Sequence, residues 1–417
     1  MDLTLAARRI TRTLFAAQSL ASAATVAIFP VVSILGARLG GHPSYAGVPA
    51  MLYQLGGAFS AFGWGRLMDR IGRRGTLVLG LAAGAVGALL AVLSIEQSSF
   101  AGFLVAALFV GVAVSAVQLA RFVAAEVHPP SERARAISTV VLGGTIGAIA
   151  GPLLAGAAAR MASATALEEL SGPFLVTAAL FVGAGLLVYI LLRPEPREIG
   201  RAVAALHDPG HAAAGPGRSV VEILRVPAAF VAVMAMVFGQ LIMVMLMVIT
   251  PLHMRGHEHQ LSSISFVISA HVVGMYAFSI VSGRLADRLG RGPVIVTGAA
   301  VLILACLSAR LSPRVLPLSV ALFLLGLGWN FCYVAGSSLL ADQLSPSERG
   351  RTQGTNDLLV GLTSAAGSLS SGIVFAAIGY GAMALVAATA ALIPLSLSAW
   401  WQFRIFSRRV APARAAR

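Results

Sequence analysis

Charge is what this sequence has least of. Only 11% of its 417 residues are Asp, Glu, Lys or Arg, where water-soluble domains carry about 25%. So few charges cannot cover a water-facing surface of this size, which excludes a soluble globular protein. Lysine is absent: every one of the 30 basic residues is Arg, against 16 acidic ones, for a net charge of +14. Cysteine is nearly absent, and Cys306 and Cys332 both fall in apolar runs, so there is no disulfide framework. Acidic side chains are missing from the middle of every apolar run. A drug–proton antiporter calls for such an acid as its proton carrier, so that function is disfavoured. No nucleophile–base arrangement or nucleotide loop marks an enzyme. A basic balance suggests nucleic acid. Here, however, the arginines sit between apolar runs, where the bias of positive loops to one membrane side accounts for them. The opening MDLTLAARRITRTLF has no small-residue cleavage site at the right distance and reads as a retained first helix.

What is present is apolar: 58% hydrophobic residues and a mean hydropathy of +0.86. A membrane span needs about 20 such residues. Runs of that kind occupy 13–37, 46–66, 75–95, 101–125, 136–159, 173–192, 226–250, 262–284, 293–310, 315–341, 355–378 and 381–403. The expected fold class is an all-α membrane protein with twelve transmembrane helices, lipid as its main partner and no nucleic acid. Arginine placement sets the topology. Arg8, Arg9 and Arg12, then Arg66, Arg70, Arg73 and Arg74, Arg133 and Arg135, the connector, Arg284, Arg288 and Arg291, Arg349 and Arg351, and the tail from Arg404 to Arg417 all fall on one side. The other side holds Arg38, Arg160, Arg255, Arg310 and Arg314. Both termini are therefore expected in the cytoplasm.

The chain is expected to divide into an N-terminal half, 1–192, a cytoplasmic linker, 193–225, and a C-terminal half, 226–417, ending in a short basic tail. The linker carries Pro194, Pro196, Pro209, Gly210, Gly215, Pro216 and Gly217 and reads as flexible. An internal repeat supports the halves. Gly65-Arg66-Leu67-Met68-Asp69-Arg70-Ile71-Gly72-Arg73 returns as Gly283-Arg284-Leu285-Ala286-Asp287-Arg288-Leu289-Gly290-Arg291. Pro130-Ser131-Glu132-Arg133-Ala134-Arg135 returns as Pro346-Ser347-Glu348-Arg349-Gly350-Arg351. The offsets are 218 and 216 residues, nearly one value.

The G-x-L-x-D-R-x-G-R loop resembles the signature of the major facilitator superfamily. The resemblance implies two six-helix bundles with pseudo-two-fold symmetry, a central cavity and alternating access, in a multi-pass protein of the bacterial inner membrane that works as a monomer. In that setting Gly65 and Gly283 permit a tight turn. Asp69, Arg70, Arg73, Asp287, Arg288 and Arg291 then form a conformational latch.

Candidate chemistry inside the spans is sparse. His271 is the one ionisable side chain well inside an apolar run, and Met234, Met236, Met243, Met245 and Met247 crowd one span. Met243 and Met247 are four residues apart, as are His271 and Met275, so each pair shares a helix face. Counting inward from the intervening loop puts Met243 roughly 10 Å deep and His271 roughly 13 Å deep. Thioethers select Cu(I) and bind Zn, Mg or Ca poorly, and imidazole suits copper too, so together they make a soft, neutral ligand set. The loop above holds His253, Met254, His257 and His259, which are placed to capture a metal at the outer mouth. M-x-x-x-M followed by H-x-x-x-M resembles the CcoA-like bacterial copper importers, a family that also includes riboflavin-linked relatives. That resemblance implies copper ligands at Met243, Met247, His271 and Met275 and copper as the imported substrate. It also implies cytoplasmic copper-handling or cytochrome oxidase assembly proteins as partners, and no prosthetic group.

Two alternatives stay open. A flavin or similar organic solute calls for aromatic and amide side chains in the cavity, and Tyr53, Gln54, Gln118, Gln240, Trp329, Asn330 and Tyr333 are candidates. Their other role is hydrogen bonding between helices. On the fifth span, Gly147 to Gly156 resembles the G-x-x-x-G-P motif of antiporter branches, which keeps drug/proton efflux in view. Its physical content is a kinked, closely packed helix.

Overall fold

A computed structural model describes residues 3–129, 131–165, 167–207 and 218–415. Pro130 of the second repeat, residues 208–217 of the connector, and Arg417 lie outside the described residues. Among the described residues there is no strand. Helix is the solution an apolar chain reaches in lipid, because it satisfies every backbone group within one segment. Among the described residues, ten stretches are long and apolar enough to cross a membrane. Two helices conceal a turn: Gly72 (φ 85°, ψ 171°) divides Val48–Glu96, and Gly379 (φ 76°, ψ 171°) divides Pro346–Ala415. Counting the segments on either side of each turn gives the twelve transmembrane helices expected from hydropathy.

By contacts the chain forms two compact units, Met1–Ala212 with Met254–Ser269, and Ala213–His253 with Ala270–Arg417. The first holds α1 (Leu3–Ala27), α2 (Phe29–Gly40), α3 (Val48–Glu96), α4 (Phe100–Gln118), α5 (Ala120–Glu126), α6 (Arg133–Ala164), α7 (Gly172–Leu191) and α8 (Pro196–His207). Helix α6 lies on α1 through a stripe of glycines. A Cβ on Gly147 would sit 1.9 Å from the Ser19 carbonyl, and one on Gly151 2.7 Å from that of Ala23. The glycines of the fifth span therefore do packing work, bringing two backbones together without intervening side chains. The connector is not uniformly irregular. Its α8 buries Ile199 and Val203 against the first unit, leaving Arg197 to donate to the Asp69 carbonyl at 2.8 Å.

The second unit begins with α9 (Val220–Leu224) and most of α10 (Pro227–Gly256). The end of α11 (Leu261–Tyr276) follows, then α12 (Ser279–Leu289), α13 (Arg291–Ala309), α14 (Val315–Ala341) and α15 (Pro346–Ala415). Its core at one end joins Ala229, Val233 and Met236 of α10 to Ile295 of α13 and Ala335 and Leu339 of α14.

One helix crossing occurs in both units. In the first, a Cβ on Gly111 would stand 2.0 Å from the Tyr53 carbonyl, and one on Gly56 2.6 Å from that of Leu108. In the second, a Cβ on Gly326 would stand 2.3 Å from the His271 carbonyl, and one on Gly274 2.3 Å from that of Phe323. His271 thus occupies, in its half, the place that Tyr53 holds in the other.

Candidate functional site

The four candidate thioether and imidazole ligands, Met243, Met247, His271 and Met275, lie on two helices with different neighbours. His271 is fully buried, and its Nδ1 lies 2.9 Å from the Leu322 carbonyl on α14. A carbonyl only accepts, so Nδ1 carries the proton and Nε2 presents its lone pair in the neutral ring. Nε2 is buried and has no hydrogen-bond partner. Met275, half-buried, lies in the same crossing: Asn330 Nδ2 donates to its carbonyl at 2.6 Å. Met243 and Met247 are buried on α10, on one stripe with Met236, Gln240 and Thr250. That stripe meets α14 and α15: Ser337 donates to Met236 Sδ at 3.3 Å, and Thr250 pairs with Tyr380 at 2.8 Å. No hydrogen bond among the described residues joins His271 or Met275 to Met243 or Met247. Nor is there, among the described residues, a group of three His, Cys, Asp or Glu side chains able to hold a metal ion.

The residues expected to capture a metal have separate surroundings. His253 stacks flat on Tyr380, with centroids 4.1 Å apart and planes at 4°. Met254 is fully buried, His257 exposed and His259 half-buried. His253 belongs to the second unit and the other three to the first.

The aromatic and amide candidates separate into two groups. In the first unit Tyr53 stands edge-on to Phe29 at 6.5 Å, Gln54 is half-buried, and Gln118 is exposed at the end of α4. In the second unit they converge. Trp329 stacks on Tyr333, with centroids 4.9 Å apart and planes at 20°. Tyr276 of α11 presents an edge to Trp329 at 6.3 Å and 72°. The indole Nε1–H donates to Gln240 Oε1 at 2.8 Å, and Gln240 Nε2 donates to Ser364 Oγ at 2.6 Å. Gln240 and Ser364 are buried, while Tyr276, Trp329 and Tyr333 are half-buried. Four helical segments thus contribute to one flat-sided cluster with fixed polar edges. Tyr276 and Ser364 escaped the sequence reading, because nothing local distinguishes one tyrosine or serine in a span from another. Asn330 does not join this cluster. It is 1% exposed and is held by Ser279, Ser282 and the Met275 carbonyl, which makes it part of the α11–α14 crossing.

The repeated loops are built alike. Arg73 donates to Glu126 through Nε at 2.9 Å and Nη2 at 3.1 Å, and to Asp69 and the Met68 carbonyl through Nη1 at 3.0 and 2.9 Å. Arg291 reaches Asp342 at 3.0 Å, Asp287 at 3.2 Å and the Ala286 carbonyl at 3.0 Å. Arg70 and Arg288 are exposed. The tight turn belongs to Gly72 and Gly290, both at positive φ (85° and 94°), where a side chain is strained. Gly65 and Gly283 lie inside helices with open space around the Cβ position. The acidic partners Glu126 and Asp342 were findable in the sequence, since they repeat at the 216-residue offset of the second motif. Glu195, from the connector, was not. Its carboxylate accepts from the Arg73 backbone amide at 2.5 Å and caps the helix that starts there.

The model of the Major Facilitator Superfamily matches residues 14–263 and 235–417. An uncharacterized MFS-type transporter of Bacillus subtilis, YdeG, is 34% identical over 93% of this chain and 91% of its own. The riboflavin transporter RfnT of Brucella anthropi is 31% identical over 88% of this chain and 89% of its own. Among solved structures, the nucleoside transporter NupG superposes with a TM-score of 0.69, covering 95% of this chain and 98% of that one at 15% identity, which shows likeness of fold. The chain is a multi-pass membrane protein and belongs to the Major Facilitator Superfamily of transporters.

Proposed function

We propose that the protein transports a flat heteroaromatic solute of the riboflavin class. The observation that carries this reading is the cluster of Tyr276, Trp329 and Tyr333 with Gln240 and Ser364 in the second unit. A fused-ring solute needs an aromatic platform and a few fixed hydrogen-bonding groups, and that is the chemistry gathered there. Similarity to a riboflavin transporter over nearly the full length of both chains supports the same choice. The test is growth and labelled-riboflavin uptake in a bacterial riboflavin auxotroph lacking its own carrier. The intact protein restores both. Trp329→Ala lowers uptake at limiting riboflavin about tenfold or more, the scale of one aromatic stacking contact. Absence of uptake by the intact, membrane-inserted protein refutes the reading.

A second reading, copper import through Met243, Met247, His271 and Met275, rests on one observation: His271 is fixed through Nδ1 on a carbonyl, with Nε2 left unpartnered. Orientation of a ligating histidine by such a bond is usual at metal sites. Copper content of cells expressing the protein, against Met243→Ala and His271→Ala variants, decides it: equal copper in all three removes this reading. On either substrate, we propose that the Arg73 and Arg291 loops act as latches in the transport cycle.

A further inference from the structure

Gln240 sits where three elements of the second unit meet. Its carbonyl accepts from the Trp329 indole of α14 at 2.8 Å, and its amide donates to Ser364 of α15 at 2.6 Å. Gln240 itself is on α10 and only 8% exposed, and Ser364 is 1% exposed, so the bond between them is shielded from water and that to Trp329 is partly shielded. An amide is planar and its two ends are chemically distinct. The indole N–H only donates, so the Gln240 oxygen must face Trp329 and the amide N–H is left to donate to Ser364, which anchors that oxygen at one position for the indole edge. A tryptophan ring has two side-chain torsions, and packing of one face on Tyr333 leaves rotation within the stacking plane open. The hydrogen bond at the indole edge removes that freedom.

We infer that Gln240 is a positioning residue for the transported solute: by bridging Trp329 and Ser364 it fixes the orientation of the ring on which the solute stacks. This rests on the proposed function for the identity of the solute, but the effect on Trp329 does not. A solute that stacks on a pre-set ring has less disorder to suppress on binding, so the contribution falls on affinity and leaves the transport step untouched.

The experiment uses the full-length protein in detergent and in proteoliposomes, with Gln240→Leu, Gln240→Glu and Ser364→Ala. Trp329 emission is isolated as the difference between each protein and its Trp329→Phe counterpart. Without solute, Trp329 anisotropy falls in Gln240→Leu and stays near that of the intact protein in Gln240→Glu, which keeps an acceptor oxygen for the indole. With riboflavin, KM rises about tenfold in Gln240→Leu, the scale of one lost buried hydrogen bond, while the maximal rate stays within about twofold. Ser364→Ala, which removes only the outer leg, raises KM by a smaller factor. Unchanged Trp329 anisotropy in Gln240→Leu overturns the inference, as does a fall in maximal rate at unchanged KM. If the intact protein neither binds nor moves riboflavin but Trp329 loosens in Gln240→Leu, the substrate reading fails and the positioning of the ring stands.

Discussion

Glu348 shows how one residue type does different work in two copies of a motif. Its carboxylate accepts from the Arg218 amide at 2.8 Å, from the Arg218 guanidinium at 2.9 and 3.0 Å, and from the Ser345 amide at 3.0 Å. Only 4% of the side chain is exposed. The counterpart in the first copy, Glu132, is 60% exposed and, among the described residues, pairs with His128 at 3.3 Å. The Arg218 guanidinium, and after it the Ser345 amide, hold the Glu348 carboxyl well below the usual carboxylate range. A carboxylate whose folded-state value is depressed stabilises the fold above its unfolded value, near 4.5, and loses that contribution as pH falls toward the folded value. Glu348→Gln is therefore expected to lower the Tm of the detergent-solubilised protein at pH 7. The gap to the intact protein should hold down to about pH 4.5 and close below it. Glu132→Gln should shift Tm little at either pH, which differential scanning fluorimetry checks in one series.

At the scale of elements, the repeated crossings are tightly constrained by backbone-to-backbone approach. The α11–α14 contact places the Gly326 Cβ position 2.3 Å from the His271 carbonyl and 2.8 Å from the Met275 amide. Both are backbone atoms, which cannot swing away. Gly326→Leu must part the helices, and overpacking of this kind costs about 1–3 kcal/mol or more. It is expected to reduce the monodisperse fraction on size exclusion severely. Gly283→Ala has open space and a helical backbone, and is expected to leave that profile unchanged or improved. Sequence carried much of this level. Hydropathy located the spans, including the break between 378 and 381 that Gly379 makes, and the repeat aligned Arg73 with Arg291. What it did not carry was neighbourhood. Helical spacing tells which side chains share a face, so Met243 with Met247 and His271 with Met275 were legible as pairs. Which helix each face meets is decided by packing, and here small residues decide it: Gly274 and Gly326 bring α11 onto α14, and Gly239 lets α10 approach Cys332. The aromatic cluster was half legible for the same reason. Gln240, Trp329 and Tyr333 had the right chemistry, but Tyr276 and Ser364 acquire theirs only from the residues beside them.

At the scale of the whole molecule, two units carry the same arginine-centred loop with unequal strength. Arg73 grips Glu126 through two nitrogens and is 16% exposed, whereas Arg291 grips Asp342 through one and is 28% exposed. Bidentate, better-shielded pairs exceed single exposed ones, which contribute about 0–1 kcal/mol. Arg73→Ala should therefore lower Tm more than Arg291→Ala. Among the described residues the partners of each arginine lie in its own unit, so the stability losses of the double variant should add to within about 0.5 kcal/mol. Transport need not add. If both loops latch one conformational cycle, removing either already disturbs the balance between its states, and the second removal acts on an equilibrium that has shifted. The maximal rate of the double variant should then depart from the product of the single effects while its Tm follows their sum. Additive stability with multiplicative rates would mean that the loops only brace their own helices, and the latch would be withdrawn.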